Sequence, residues 1–202
     1  MLLLCLAPAS ACAQVHAQLG PAAILETDAR FGAFGLAGDD QIGALLDARF
    51  LLTRGLDMGL QLGVRRMLDR EAGETVLDGG ADFRYALVEQ SEAVPFDLSV
   101  GAGFGYTGGD DLTVLATALQ GGVSRRLSTS NGRDITPYAG VVLTVAHTRV
   151  DVEGVESEFS DPDLDVALRL GLAAALSDGT ALTGELQVKD DPAFYLGLTT
   201  SF

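Results

Sequence analysis

The sequence predicts an all-β protein, a closed antiparallel up-and-down transmembrane β-barrel of about ten strands. Apolar and polar residues alternate along most of the chain, in segments of about ten residues, whereas strands of soluble sheets are typically about five or six. The face opposite the apolar one carries glycine and charges of both signs, as an enclosed lumen would. A weakly patterned stretch from Leu112 to Leu127 leaves about eight or about twelve strands as alternatives.

The composition combines acidity with hydrophobicity and thereby excludes several classes of protein. The 202 residues carry a formal net charge of −15, yet 48% of them are hydrophobic. A disordered acidic chain would be poor in apolar residues, and a nucleic-acid-binding protein needs a basic surface. No apolar run reaches the roughly 18 residues of a membrane-spanning helix. We therefore expect the apolar residues to be distributed along strands that face lipid on one side.

Ten segments alternate with a period of two, whereas apolar positions in a helix recur every three or four residues. In each segment one face is apolar, and the sixth is the weakest. In chain order the predicted strands are Leu25–Ala33, Ala44–Leu52, Leu56–Arg65, Leu77–Leu87, Phe96–Tyr106, Leu115–Ser124, Ile135–Val145, Leu164–Leu172, Leu182–Lys189 and Phe194–Phe202.

The first thirteen residues have the features of a secretory signal. They carry no charge, contain an apolar stretch and end in Ala11-Cys12-Ala13, a small-x-small cleavage pattern. We predict a signal peptide over residues 1–13 and a barrel domain over residues 14–202. Both cysteines, Cys5 and Cys12, fall inside the predicted signal, so the mature chain would contain no thiol.

The inward face of the predicted strands carries charges that have to pair or be hydrated, because an isolated buried ion is costly. Acid–base neighbours two residues apart, such as Asp82 and Arg84, predict a ladder of ion pairs along the strand faces. Two interpretations stay open: the ladder fills the lumen as a structural element, or it lines a narrow, weakly cation-selective pore. The ladder consists of Glu26, Asp28, Arg30, Asp47, Arg49, Asp82, Arg84 and Arg169, and further inward positions hold Asp57, Arg65, Asp78, Asp97, Glu185 and Lys189.

The connections at one end of the predicted barrel collect most of the acidic residues, including Asp39, Asp40, Asp110 and Asp111. We expect a solvated, self-repelling face, and an alternative function is a surface interaction protein that acts through these acidic loops. The spacing defines no metal site, because no strict calcium-loop pattern is present. Weak candidates for oxygen ligands of a divalent cation are Glu156, Glu158, Asp161 and Asp163.

The C-terminal segment carries a resemblance to a known group of proteins. Apolar residues alternate up to a terminal aromatic residue, as in the signal that the barrel-assembly machinery recognises, and the matching residues are Phe194, Leu196, Leu198 and Phe202. With the barrel pattern, the chain resembles the small porin-like and opacity-type outer-membrane barrels of Gram-negative bacteria. The resemblance implies a monomer in the bacterial outer membrane, with the lipid bilayer, lipopolysaccharide and the assembly machinery as partners. It implies no cofactor and no nucleic acid.

An enzyme is a less favoured alternative. Some small outer-membrane barrels are proteases or lipid-modifying hydrolases, and hydrolysis needs a base beside a nucleophile or an activated water. The only histidines outside the predicted signal are His16 and His147, and His147 falls on the apolar face of its predicted strand. The one pair worth testing is His147 with Glu153. We therefore expect a structural or passive role without catalytic residues.

Overall fold

The computed structural model describes residues 19–68, 74–110, 112–150, 161–189 and 192–202, and these are all strand, turn or irregular backbone. No helix in these ranges is long and apolar enough to cross a membrane. The strands are β1 Ala29–Gly38, β2 Gln41–Thr53, β3 Leu56–Met67, β4 Thr75–Val88, β5 Asp97–Gly108, β6 Leu112–Ser124, β7 Leu127–Ser128, β8 Asp134–Val150, β9 Asp163–Ser177, β10 Thr180–Val188 and β11 Ala193–Ser201.

Ten of these strands close into an antiparallel barrel. Each strand pairs with its neighbour in the chain, β6 pairs with β8, and β1 pairs with β11 to complete the ring. The eleventh strand, β7, has two residues and pairs only with the start of β8. The prediction of a closed up-and-down barrel is thus confirmed. Closure leaves the ten-stranded sheet without an unpaired edge, and an unpaired edge would be costly because lipid cannot hydrogen-bond the exposed backbone groups.

The two ends of the barrel differ, and we name them by what they carry. The terminal end, where β1 begins and β11 ends, has tight turns at residues 54–55 and 178–179, in which Gly55 and Gly179 adopt φ angles of 80° and 77°. Positive φ angles of this kind favour glycine in two-residue hairpins. The acidic end lies opposite and includes the turn at residues 39–40 and the connection between β8 and β9.

Apolar side chains cover the outside of the barrel, as the alternation predicts. Leu62 and Leu164 are each 68% exposed, and Phe83 is 50% exposed. On the opposite face Arg49 and Arg84 are completely buried. An apolar outer surface around a charged interior is the reverse of the arrangement in a soluble protein, and it suits a lipid environment.

Among the described residues the interior also contains three apolar clusters, which the pattern of charge and glycine did not predict. The third consists of Ala118 and Val142 with Ala167 packed against them. The first two lie inside the half of the barrel near the acidic end, because their strand residues sit towards that end. The first cluster is Met67, Val76, Leu112, Val114, Ala116 and Ala146, and the second is Leu19, Phe34, Leu36, Leu45, Ala193 and Tyr195.

The predicted first strand is wrong at its start, since β1 begins at Ala29 rather than at Leu25. Residues 19–28, which we call the lumenal segment, belong to no strand, and only their last residue, Asp28, accepts a backbone hydrogen bond from β2, from the Leu51 amide at 3.0 Å. The first residues of the segment enter the barrel. Leu19 is fully buried and Ala22 is 5% exposed. The alternation from Leu25 to Asp28 imitates a strand, but the side chains of Glu26 and Asp28 are exposed.

Several inward-facing positions are glycine, and a larger residue would not fit there because the lumen is narrow. A β-carbon at Gly101 would lie 2.6 Å from the Phe83 carbonyl oxygen and 2.8 Å from Gln120 Nε2, and one at Gly59 would lie 2.5 Å from Arg49 Nη2. Real β-carbons do not approach other atoms so closely. Inward glycines therefore make room for the long side chains of neighbouring strands.

We predict that Gly59→Val destabilises the barrel by about 1–3 kcal/mol, because the added carbons overpack the lumen beside Arg49. The matched control is Gly79→Val, since a β-carbon at outward-facing Gly79 meets only Leu62 Cδ2 at 3.8 Å. Urea unfolding in detergent, followed by gel mobility of unheated samples, measures both. Equal stability of the two variants would contradict a tightly packed lumen.

Candidate functional site

The centre of the lumen is an ion-pair cluster built on Asp57 of β3. Asp57 accepts hydrogen bonds from Arg49 Nη1 and from Arg84 Nη2, each at 2.5 Å. Arg49 Nη2 also donates to both oxygens of Asp82, at 2.6 and 2.8 Å. The strand register explains the cluster, because Asp57 pairs directly with Arg84, and Gly59 lies between Arg49 and Asp82.

A second ion pair lies nearer the acidic end. Arg65 donates to both oxygens of Asp78, from Nε at 2.6 Å and from Nη2 at 2.7 Å. The Thr107 hydroxyl donates to Asp78 Oδ1 at 2.6 Å, and Arg65 Nη1 donates to Gln41 Oε1 at 2.7 Å. Bidentate pairs with further hydrogen bonds are the form in which buried charges are tolerated.

A third ion pair joins β9 and β10. Arg169 donates from Nε and Nη2 to the two oxygens of Glu185, both at 2.9 Å. The Tyr138 hydroxyl donates to Glu185 Oε2 at 2.9 Å, and Gln187 Nε2 donates to Glu185 Oε1 at the same distance. Glu185 thus accepts hydrogen bonds from three side chains inside the barrel.

The structure places six of the eight predicted ladder residues in the lumen: Arg30, Asp47, Arg49, Asp82, Arg84 and Arg169. Their partners differ from the prediction, since the ion pairs join different strands and not residues along one strand. Most join adjacent strands, and the pair of Arg49 and Asp82 reaches across β3 at Gly59. Residues two apart on a strand are farther from each other than residues directly opposite on adjacent strands. For example, Arg30 Nη2 lies 3.5 Å from Asp47 Oδ2 on the next strand.

The other two predicted ladder residues are corrected by the structure. Glu26 and Asp28 precede β1 and lie at the terminal end, outside the buried network. Glu26 Oε1 instead accepts a hydrogen bond from Arg126 Nη2 at 2.8 Å, and both side chains are exposed. This hydrogen bond raises the pKa of Arg126.

The lumenal segment completes the interior network through its backbone. Three buried arginines donate to three consecutive carbonyl groups: Arg30 Nη2 to Leu19 at 3.2 Å, Arg169 Nη2 to Gly20 at 3.3 Å and Arg84 Nη1 to Pro21 at 2.6 Å. The Gly20 amide donates to Glu185 Oε2 at 3.2 Å. Sequence reasoning missed this segment because residues 19–23 carry neither a charge nor a clear alternation.

Two cavities lie at the terminal end of the described part of the barrel. The lumenal segment divides this mouth into a cavity of about 570 Å³ beside Arg54 and Gln90 and another of about 340 Å³ beside Thr136 and Ala181. Another cavity lies next to Gly20 and Arg169 and has a volume of about 10 Å³. A cavity of that size holds no more than about one water.

The remaining candidate residues form no site in the part of the chain that the structure describes. Asp161 and Asp163 are exposed, and Glu156 and Glu158 lie outside the described residues. Among the described residues, no three side chains of the types that bind metals lie close enough together to hold an ion. His147 is exposed on the outer face of β8, while His16 and Glu153 lie outside the described ranges.

The predicted assembly-signal residues lie on the outer face of β11. Phe194, Leu196 and Leu198 are each about half exposed, and Phe202 is 70% exposed. The Phe202 ring centroid lies 6.1 Å from that of Phe31, which packs at 5.9 Å against Phe50. These rings form an aromatic cluster at the terminal end, where aromatic side chains suit a membrane interface.

Comparison with known proteins gives no match to a protein family and none to a curated protein sequence. Among solved structures, the β domain of the Bordetella autotransporter Brka is similar, with a TM-score of 0.57 and 14% identity over 87% of this chain and 99% of that one. The chain has the fold of a bacterial outer-membrane β-barrel. Lower similarity links this barrel to the KdgM porin, with a TM-score of 0.44 and 12% identity over 86% of this chain and 99% of that one. An outer membrane channel from Pseudomonas putida F1 also has a TM-score of 0.44, with 13% identity over 92% of this chain and 99% of that one.

We predict that Asp57→Ala destabilises the barrel by about 3–5 kcal/mol, because Arg49 and Arg84 would lose the carboxylate between them. Glu89→Ala is the matched control. Its ion pair with Arg54 spans 3.6 Å between exposed side chains, so we expect a loss of at most about 1 kcal/mol. Both values come from urea unfolding in detergent, and similar losses would show that the buried cluster contributes no more than a surface pair.

Proposed function

We propose that the chain is a sealed barrel of the bacterial outer membrane with a structural, passive role. The observation that carries this proposal is the hydrogen bonding of Arg30, Arg169 and Arg84 to three consecutive carbonyl groups of the lumenal segment. A segment held at three points by buried cations closes the passage that an empty barrel of this size would leave. The apolar outer surface supports the membrane location.

The orientation that we propose places the acidic end outside the cell. Outer-membrane barrels generally have short turns on the periplasmic side and longer loops on the other. Here the longest connection, between β8 and β9, joins strands at the acidic end. The terminal end has the two-residue turns at 54–55 and 178–179, together with the connection 89–96 between β4 and β5 and residues 125–133 between β6 and β8. The exposed carboxylates of Asp39, Asp40 and Asp110 would then face the medium and neighbouring lipopolysaccharide.

The pore interpretation applies only to a barrel without its lumenal segment. Removal of that segment would free the donors of three buried arginines and widen the lumen beside Glu185 and Asp57. Carboxylates at the acidic end would favour entry of cations over anions. A narrow, weakly cation-selective pore is therefore the second state that we propose for this chain.

Conductance in planar bilayers tests the seal. We expect no current steps from the full-length protein and small, cation-preferring steps from a variant that lacks residues 14–26, once gel mobility has established that the variant is folded. The substitution Arg54→Ala at the exposed terminal end is the control and should stay silent. Steady current through the full-length protein would contradict the sealed barrel, and silence of every variant would reject the pore state.

We also propose that the barrel-assembly machinery recognises β11 through its outer face and its terminal aromatic residue. Phe202→Ala should lower the amount of heat-modifiable barrel in cells several-fold. Phe50→Ala is the matched control, because Phe50 also contacts Phe31 but belongs to β2 and not to the C-terminal segment. Assembly of both variants to the same level in pulse-chase experiments would argue against a recognition role for Phe202.

A further inference from the structure

The outer face of the barrel carries charge of one sign only. Among the described strand residues that point outward, none is a carboxylate, and the two with a permanent charge are arginines, Arg66 on β3 and Arg149 on β8. Both lie at the acidic end, where Arg66 pairs with Thr75, the first residue of β4, and Arg149 pairs with Thr113 of β6. The described carboxylates of this end lie in connections or point inward, so the surface that meets lipid here is cationic.

Arg149 belongs to a compact polar patch on three neighbouring strands. We call it the rim patch, and it consists of Tyr106, Thr113, His147 and Arg149. Tyr106 of β5 and His147 of β8 both pair with Leu115 of β6, which puts them in one row. The pair of Thr113 and Arg149 forms the next row towards the acidic end. The patch is two strand spacings wide, or about 10 Å, which suits a single lipid headgroup.

The Tyr106 hydroxyl lies towards the acidic end of the rim patch. A β-carbon at Gly108, two residues closer to that end, would overlap this hydroxyl and lie 2.8 Å from the ring carbon Cζ. Because Gly108 has no side chain, the tyrosine ring lies along its own strand, and its hydroxyl reaches the level of Thr113, the partner of Gly108. Two hydroxyls, an imidazole and a guanidinium group thus offer hydrogen-bond donors side by side.

The surface next to the rim patch, farther from the acidic end, is mostly apolar. Phe104 pairs with Thr117, and Leu119 pairs with Leu143 one row farther on. Phe104 is 49% exposed, Leu119 61% and Leu143 43%. A molecule that matches both regions carries an anionic, hydrogen-bonding group at one end and hydrocarbon at the other, which is the chemistry of a phosphorylated lipid.

From this arrangement we propose that the rim patch binds the phosphorylated headgroup of a lipid whose acyl chains lie along Phe104 and Leu119. The identity of the lipid rests on the orientation proposed above, because with the acidic end outside the phosphorylated lipid at this level is lipopolysaccharide. Arg149 has other interactions within the protein, and its five N–H donors also allow it to bind a phosphate. The exposed carboxylate of Asp110 lies just beyond β5, so the rival to direct binding is a phosphate held there through a divalent cation.

Calorimetric titration of the folded barrel in detergent tests the site. The probes are phosphorylated lipid A, dephosphorylated lipid A and inorganic phosphate, each with EDTA present so that no divalent cation bridges the groups. We expect Arg149→Ala to weaken binding of phosphorylated lipid A by about tenfold or more, and Tyr106→Phe by about threefold, as for the loss of a charge-assisted and of a neutral hydrogen bond. The matched control, Arg133→Ala, removes the same charge from an exposed position at the terminal end and should bind like the unaltered protein. Gel mobility of unheated samples establishes that every variant is folded.

Equal affinity of Arg149→Ala and the unaltered protein would overturn the site, and so would equal binding of dephosphorylated lipid A. Binding that is absent in EDTA and returns with Mg²⁺ would overturn it in favour of a cation bridge to the carboxylates. Inorganic phosphate should bind more weakly than the lipid, and equal affinity would overturn the role given to the acyl chains.

None of these results depends on conductance or on the orientation of the barrel, because the protein is in detergent. The orientation is tested separately by labelling Asp39→Cys in intact cells with a maleimide that does not cross the membrane. We expect labelling there. Reaction only in lysed cells would overturn lipopolysaccharide as the bound lipid, while the titration would still decide whether the rim patch binds phosphate.

Discussion

Charge neutralisation in a closed, narrow lumen is the constraint on which the rest of this barrel depends. Ten strands enclose a space that side chains nearly fill, so an inward charge finds little water to solvate it. Five arginines and five carboxylates are buried among the described residues: Arg30, Arg49, Arg65, Arg84, Arg169, Asp47, Asp57, Asp78, Asp82 and Glu185. Because an unpaired buried ion is so costly, the strand register has to bring these groups together.

The same constraint explains the distribution of glycine. Arginine is the longest of the inward side chains, and its planar group needs space beside the next strand. Gly59 lies between Arg49 and Asp82 in the register and lets the two charges meet across it. A valine or leucine there would strengthen the strand pattern in the sequence but would displace the guanidinium group. The glycines and the ion pairs are thus parts of one packing solution.

Much of the fold follows from the sequence, because the alternation of polar and apolar residues is a local property. It predicts the ten strands and the outward position of residues such as Leu62 and Phe83. The pairing of charges depends on register, which is not local, and so Asp82 and Arg84 suggest a partnership along one strand that the structure does not form. The lumenal segment was beyond prediction for a related reason: Gly20 and Pro21 have no pattern of their own, and only the surrounding barrel gives them a place.

The hydrogen-bond balance of the interior shows why the barrel needs that segment. Each guanidinium group offers five N–H donors, whereas a carboxylate shared between two arginines, as Asp57 is between Arg49 and Arg84, supplies acceptors to both. Equal numbers of opposite charges therefore leave an excess of donors. Even with the segment in place, the Nε atoms of Arg30 and Arg49 have no hydrogen-bond partner among the described residues, and neither has the acceptor Asp47 Oδ2. The carbonyl groups of residues 19–21 reduce this excess without adding charge or much volume, so the segment inside the lumen satisfies the arginines that hold it there.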